Sequence, residues 1–272
     1  MKKLVSILLG TSLVLLTLVG CGEEEGSTDK IVVSATLDPH SKILEFAKPI
    51  LAEEGIELEI EVLDNYYIFN QALDNGEVDA NFFQHTPFFN DEVETNGYDI
   101  VNIGGVHIEP FGFYSKTISE VEDIPKGAEI IISNAVADHG RILSILEGAG
   151  VIKLKDGVEI LNATFEDIEE NPKDIKFTEI NPELLITTYE EGEGDLVAIN
   201  GNYAISAGLK PTEDAVILEQ ADESNPYVNI VAVQKGREND EVLLKLIEVL
   251  QSEEVKEFII ETYSDGSVIP VE

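Results

Sequence analysis

The chain has no tryptophan, one methionine, one cysteine and only 17 basic residues against 54 acidic ones in 272 positions. Each shortage excludes something. A formal charge of −37 repels nucleic-acid phosphates and anionic lipid headgroups, and no basic cluster offsets it, because arginine occurs only at Arg141 and Arg237. Nucleic acid is therefore no partner. The lone Cys21 rules out a disulfide within the chain. There is no G-x-S-x-G elbow, no P-loop and no G-x-G-x-x-G after a strand. Asp138 and His139 invite comparison with Ser133, yet no serine sits in a nucleophile turn. An extracellular hydrolase is thus a distant third reading, and neither catalysis nor a cofactor is expected. The hydrophobic share of 43% is too high for a disordered acidic chain and sufficient for a packed core. At about 100–200 residues per domain, the length fits one large or two modest domains.

Long apolar runs are scarce too, with one exception at the start. Met1-Lys2-Lys3 is cationic, and Leu4 to Gly20 then carries no charge. The run is shorter than the roughly 20 residues a spanning helix needs and fits a secretory signal over residues 1–20. It ends Leu18-Val19-Gly20-Cys21, which resembles a bacterial lipobox and marks Cys21 for lipidation. Residues 21–29, with Glu23-Glu24-Glu25, read as a flexible tether. These features place the chain at the cell membrane, lipid-anchored on its extracytoplasmic face.

From residue 30, strand and helix patterns alternate. Strands are predicted at Ile31–Thr36, Glu57–Leu63, Val78–Phe83 and Ile100–Val106. Helices are predicted from Ser41 as N-cap, over Asn65–Asp74 and over Pro87–Thr95. The series restarts after Pro110 with a strand at Glu129–Ser133 and a helix at Gly140–Glu147. A strand at Asp174–Thr178, a helix at Pro182–Tyr189 and strands at Leu196–Ile199 and Val228–Val233 follow, before two C-terminal helices. The expectation is an α/β fold with a mostly parallel sheet in each of two lobes. In such folds ligands sit at the C-terminal ends of strands and at lobe junctions.

Those ends carry the candidate site. Arg141, predicted in a helix's first turn, opposes the helix dipole there, so a carboxylate should offset it. That carboxylate belongs either to a ligand or to one of the 54 acids. All four histidines (His40, His85, His107, His139) fall at predicted turns. His40, His85 and His107 with a carboxylate are a candidate tetrahedral zinc set, although no local ligand spacing supports it. Tyr66, Tyr67, Phe69, Phe82, Phe83, Phe88 and Phe89 crowd one short stretch, as core or as a crevice for an apolar or thioether side chain.

At these residues the sequence resembles the NlpA-type methionine-binding lipoproteins, the substrate-binding components of methionine ABC importers. Ala35-Thr36, Pro39-His40, Asp79-Ala80-Asn81, Phe83-Gln84-His85-Thr86-Pro87 and Glu109-Pro110 carry the first half of it. Gly140-Arg141, Glu170-Asn171-Pro172-Lys173, Ile199-Asn200-Gly201-Asn202-Tyr203-Ala204, Ser224 to Asn229 and Val268-Ile269-Pro270 carry the second. The resemblance implies a type II periplasmic-binding-protein-like fold, two hinged lobes closing on one amino acid. The boundaries expected are 30–109 plus 229–272 for the first lobe and 110–228 for the second. Tyr66, Phe83 and His85 match positions around the methionine side chain, and Phe88 is a further expected ligand-binding residue. Arg141 matches the carboxylate-holding arginine, and Asn200 and Asn229 match the polar anchors of the amino-acid head. The implied partners are the permease and ATPase subunits of the importer.

Three departures stand out. Phe88 replaces the family's usual tyrosine, the loop from Asn134 to Arg141 is altered, and Asp138 stands where an asparagine is usual. Asp138 is expected to pair with Arg141 or with a ligand ammonium. The favoured ligand is accordingly L-methionine, with D-methionine, a methionine-containing dipeptide or another apolar amino acid as alternatives.

Overall fold

The computed structural model describes residues 29–220 and 225–271; Cys21, the leader and most of the tether lie outside them. The first half alternates as β1 (Asp29–Ala35), α1 (His40–Glu53), β2 (Ile56–Val62), α2 (Tyr66–Asp74), β3 (Ala80–His85), α3 (Thr86–Asn96) and β4 (Ile100–Ile108). The middle holds β5 (Gly112–Tyr114), β6 (Glu129–Ser133), α4 (Val136–Gly148), β7 (Lys153–Leu154), β8 (Ile168–Glu170) and β9 (Lys176–Ile180). It continues through α5 (Leu185–Glu191), β10 (Leu196–Ile199), α6 (Gly201–Ser206), α7 (Pro211–Asp214) and β11 (Ile217–Leu218). The chain ends with β12 (Val228–Gln234), α8 (Glu241–Leu250), α9 (Glu253–Thr262) and β13 (Ile269–Pro270).

Two large sheets result. One has the order β13-β4-β12-β3-β1-β2 and the other β11-β5-β10-β6-β9. The alternation in β2 is what its edge place requires: Ile56 and Leu58 are buried while Glu57 and Glu59 face water. All six residues of β3, inside the sheet, are buried. Each sheet has its own apolar core. Ile31, Val33, Leu44, Leu51, Leu246 and Val255 anchor the first, and Ile130, Ile132, Ile142, Leu146 and Leu196 the second. Each such side chain contributes about 1.5–3 kcal/mol by leaving water. Among the described residues, no helix is long and apolar enough to cross a membrane.

Neither sheet is mostly parallel. β12 runs antiparallel to both β3 and β4, and β5 runs antiparallel to β10. The cause is topological. The chain crosses from the first sheet to the second after β4, through Glu109–Phe111, and rejoins the first sheet with β12 after β11, so the returning β12 inserts against its neighbours. The two crossovers lie side by side, with Glu219 N–H donating to the Phe111 carbonyl at 2.9 Å.

Two local expectations also change. α1 starts at His40, and Ser41 caps nothing; its hydroxyl bonds the Leu37 carbonyl instead. α4 starts at Val136, one turn before Gly140. Gly140 is therefore interior, and there it makes room for the chain alongside: a Cβ would lie 1.8 Å from the Ile160 carbonyl oxygen.

Candidate ligand-binding cleft

A narrow cleft lies between the sheets, lined by Tyr66, Phe83, His85 and Phe88 on one side and Asp138, Arg141, Asn200 and Asn202 on the other. Glu109 and Asn229 close its floor. Its apolar end is a cage of rings. Tyr66, the first residue of α2, packs 5.9 Å from Phe83 and 5.8 Å from Phe88, and Phe83 and Phe88 are 6.0 Å apart. Asn65 fixes where α2 starts by accepting a hydrogen bond from Tyr67 N–H at 2.9 Å. Phe69 stacks behind Phe83 at 4.0 Å, which holds that ring in place. Tilted and edge-on rings of this kind suit a flexible thioether.

The polar end is wired across the lobes. His85 caps α3: its Nδ1 accepts from Phe88 N–H at 3.2 Å. The ring proton therefore sits on Nε2, which donates to Asp138 Oδ1 at 3.0 Å. The other oxygen of Asp138 accepts from Asn200 Nδ2 at 3.1 Å. Asp138 thus pairs with His85 and Asn200, not with Arg141. Burial is the largest single influence and pushes its carboxyl up, but His85, the Asn200 hydrogen bond and the Arg141 charge together outweigh it and hold the group below the usual carboxylate range. Because Asp138 takes the Asn200 amide nitrogen, the Asn200 oxygen is left buried with no partner. Asn229 is oriented the opposite way. Its oxygen bonds His40 Nε2 at 3.1 Å, which leaves its amide nitrogen as the available group.

Arg141 is the sixth residue of α4, past the first turn, so the dipole argument no longer applies. Asp138 holds the first-turn place, where a negative charge is favourable. The offsetting carboxylate for Arg141 is internal. Nε and Nη2 donate to the two oxygens of Glu219 at 2.9 and 2.5 Å, and Nη2 also reaches the Glu109 carbonyl at 2.7 Å. The guanidinium lies 4.4 Å over the Tyr227 ring. Among the described residues Nη1 makes no hydrogen bond.

The histidines divide. His40 and His107 converge with Glu109, their ligand-type atoms within 4.8 Å of one another, whereas His85 is spent on α3 and Asp138. The zinc set of three histidines is therefore not assembled. His40, His107 and Glu109 form a hydrogen-bonded network instead. His107 Nε2 meets Glu109 at 2.8 Å, and His107 Nδ1 lacks the outer partner that normally steadies a metal-bound imidazole. Asn134 lies outside the cleft lining. It accepts from the Tyr67 hydroxyl at 3.1 Å and holds Asn181 at 2.9 Å on the rim.

Sequence reasoning passed over Glu109, Gln84, Gly201 and Asn202 as lining residues. Two of them carried a signal, since Gly201 and Asn202 follow the apolar strand β10 directly. Gly201 is required there, because a Cβ would fall 2.5 Å from the Glu109 Cβ. Asn202 accepts from the Tyr66 hydroxyl at 2.5 Å, which ties the ring cage to the opposite lobe.

The model of the NlpA lipoprotein family matches residues 31–272. The chain belongs to the NlpA lipoprotein family. Among its NlpA relatives, the methionine-binding lipoprotein MetQ of Bacillus subtilis is 47% identical over 93% of each chain. The D-methionine-binding lipoprotein MetQ of Escherichia coli is 32% identical, again over 93% of each. A nutrient-binding protein from Burkholderia cenocepacia, solved bound to methionine, superposes with a TM-score of 0.82 at 37% identity. That match covers 88% of this chain and 99% of the other. The NlpA fold explains the two mixed sheets and their paired crossovers, the periplasmic-binding-protein-like arrangement of hinged lobes.

Proposed function

We propose that this NlpA protein is lipidated at Cys21, held on the extracytoplasmic face of the cell membrane, and binds methionine in the interlobe cleft for delivery to an ABC importer's permease and ATPase subunits. The observation that carries this reading is the buried, unpartnered Asn200 oxygen lying beside a cage of three rings. A buried acceptor without a donor costs about 1–3 kcal/mol, and a ligand ammonium relieves it. Tyr66, Phe83 and Phe88 then enclose the thioether, a burial contributing about 1.5–3 kcal/mol. Arg141 Nη1 and the Asn229 amide nitrogen take the carboxylate. The lobes are 30–109 plus 229–272 and 110–228, with closure between them as the state the permease reads. Binding proceeds without catalysis, and no group in the cleft is set as a nucleophile with its base.

The test is a native mass spectrum of the purified protein, followed by calorimetry with L- and D-methionine. A mass increment equal to methionine, lost on unfolding, or saturable heat with either enantiomer is expected. A larger organic increment points to a dipeptide. A protein that is empty and takes up neither enantiomer overturns the ligand assignment.

A further inference from the structure

Glu109 is the first residue after β4, placed where the chain enters the first crossover. It lines the cleft together with Asn200 and Asn229, and the residue is 5% exposed. A buried carboxylate ordinarily has a cation beside it. The groups facing Glu109 supply none that is free. From β4, His107 Nε2 lies 2.8 Å away, and from α1, His40 Nε2 lies 3.5 Å away. Both imidazoles are neutral: burial lowers His40 to about 4 and His107 to about 3. From α4, Arg141 grips the Glu109 backbone carbonyl with Nη2, but its side-chain partner is Glu219. Asp138, on the same helix, is a second carboxylate and is itself bonded to His85 of β3. Tyr66 of α2 and Tyr263 beyond α9 also face the group, and burial keeps both phenols protonated. The Asn202 backbone N–H at the start of α6 is the remaining donor.

We infer that Glu109 recognises the ligand's ammonium group, and that it exchanges a proton for that ammonium when the ligand binds. The inference rests on the amino-acid reading proposed above. In the empty cleft, burial pushes the carboxyl above the usual carboxylate range, so it keeps its proton to higher pH than an exposed carboxylate does. An arriving ammonium supplies the missing cation. Glu109 releases its proton to solvent, and the carboxylate and ammonium form the pair that Asn200 Oδ1 completes. His107 is a positioning residue: its Nε2 holds the carboxylate through Glu109 Oε1 without carrying charge itself, while the neighbouring His40 Nε2 is bonded to Asn229. The sheet side of Glu109 is thus neutral, and the cation it selects has to come from the cleft.

The experiment is calorimetric titration of the full chain with L- and D-methionine, in buffers of different ionisation enthalpy, across the acidic to neutral range. The expected result for the wild type is a buffer-dependent enthalpy. It corresponds to release of up to one proton, largest at the acidic end and vanishing once Glu109 is ionised before binding. Affinity should rise with pH over the same interval and then level off. Glu109→Gln should release no proton and bind methionine at least about tenfold more weakly. It should bind the desamino analogue of methionine no worse than the wild type does. His107→Gln, which keeps a donor, should shift the pH interval of proton release and leave the affinity at its upper end unchanged. A buffer-independent enthalpy with methionine binding intact overturns the inference while the ligand reading stands. So does a folded Glu109→Gln protein that binds within twofold of the wild type. Absence of heat with both enantiomers overturns the ligand reading and this inference with it.

Discussion

Arg141 and Glu219 form a two-pronged ion pair at the place where the two crossovers run side by side. Glu219 contributes more than a counter-charge. The oxygen that receives Arg141 Nη2 also accepts from Phe111 N–H at 3.1 Å, so one carboxylate joins α4, the outgoing crossover and the returning one. Arg141 adds the Glu109 carbonyl from the same side. A side chain that lines the cleft is therefore also fastened to both crossovers, and in the proposed binding mode it would connect ligand contact to lobe position.

Removing one member of that pair should be costly. Glu219→Gln leaves a buried guanidinium without its carboxylate, a situation that destabilises by about 3–5 kcal/mol. Denaturant unfolding should show the loss as a lower midpoint. Arg141→Lys should not rescue function, because an ammonium cannot make two parallel bonds to Glu219 and still present an edge to the ligand.

Arg141→Ala should weaken methionine binding by at least about 1.5–3 kcal/mol, the range for hydrogen bonds to a charged group. Calorimetry on protein shown to be folded by circular dichroism checks this. Unchanged affinity would remove Arg141 from the site.

The His85–Asp138 bond holds the lobes together from the opposite side of the cleft. Asp138→Ala should open the ligand-free protein, seen as a larger radius of gyration in small-angle scattering, and should speed ligand release. Asp138→Asn should do less, since an amide oxygen still accepts from His85 Nε2. The pH dependence follows from the depressed carboxyl. An acid whose folded value lies below its unfolded value of about 3.9 stabilises fully above that value. The contribution is lost as pH falls through the folded value, so the latch should persist through the mildly acidic range.

Much of this architecture was readable from the chain, and the failures have definite causes. The strand Leu196–Ile199 and the helix ending at Asp74 came out with the boundaries expected, because apolar runs and Asn-Gly stops are local signals. The start of α4 did not. Gly140 reads as a helix boundary, whereas the structure keeps it inside the helix to clear the Ile160 carbonyl, a contact between distant segments. The direction of β12 is likewise invisible, since a buried strand has the same pattern whichever way it runs. Arg141 was identifiable as a rare cation needing a carboxylate, but the choice of Glu219 among so many acids depends on where the second crossover passes. The ring cage, His85, Asn200 and Asn229 were all named in advance, and the structure brings them together. What spacing could not give was polarity: that Asn200 presents oxygen to the cleft and Asn229 presents nitrogen.

Gly201→Ala tests the tight floor. The added methyl would meet the Glu109 side chain at 2.5 Å, and α6 has to move away to admit it. Overpacking of this kind costs about 1–3 kcal/mol. Because α6 also carries Asn202, the partner of Tyr66, the loss should appear in ligand affinity as well as in thermal unfolding.

The buried imidazoles set the acid limit of the fold. His40 and His107 are fully buried, and their values fall to about 4 and about 3, for each chiefly because burial penalises the charged form. In the unfolded chain they protonate near about 6.5. Between those values the unfolded state binds more protons than the folded one, so stability rises with pH. Stated in the other direction, the two histidines contribute fully above about 6.5 and withdraw their contribution as pH falls towards their folded values. Unfolding free energy measured by denaturant should therefore decline steadily from neutral pH into the mildly acidic range, before the depressed carboxyls such as Asp138 begin to protonate. Glu109 works in the opposite direction, because an acid raised by burial loses relative stability as pH climbs past its unfolded value and so cannot cause a decline on acidification. His107→Gln, which cannot take up that proton, should flatten the slope between neutral and acidic pH. An unchanged slope in His107→Gln, together with one in His40→Gln, would mean that other groups govern acid stability.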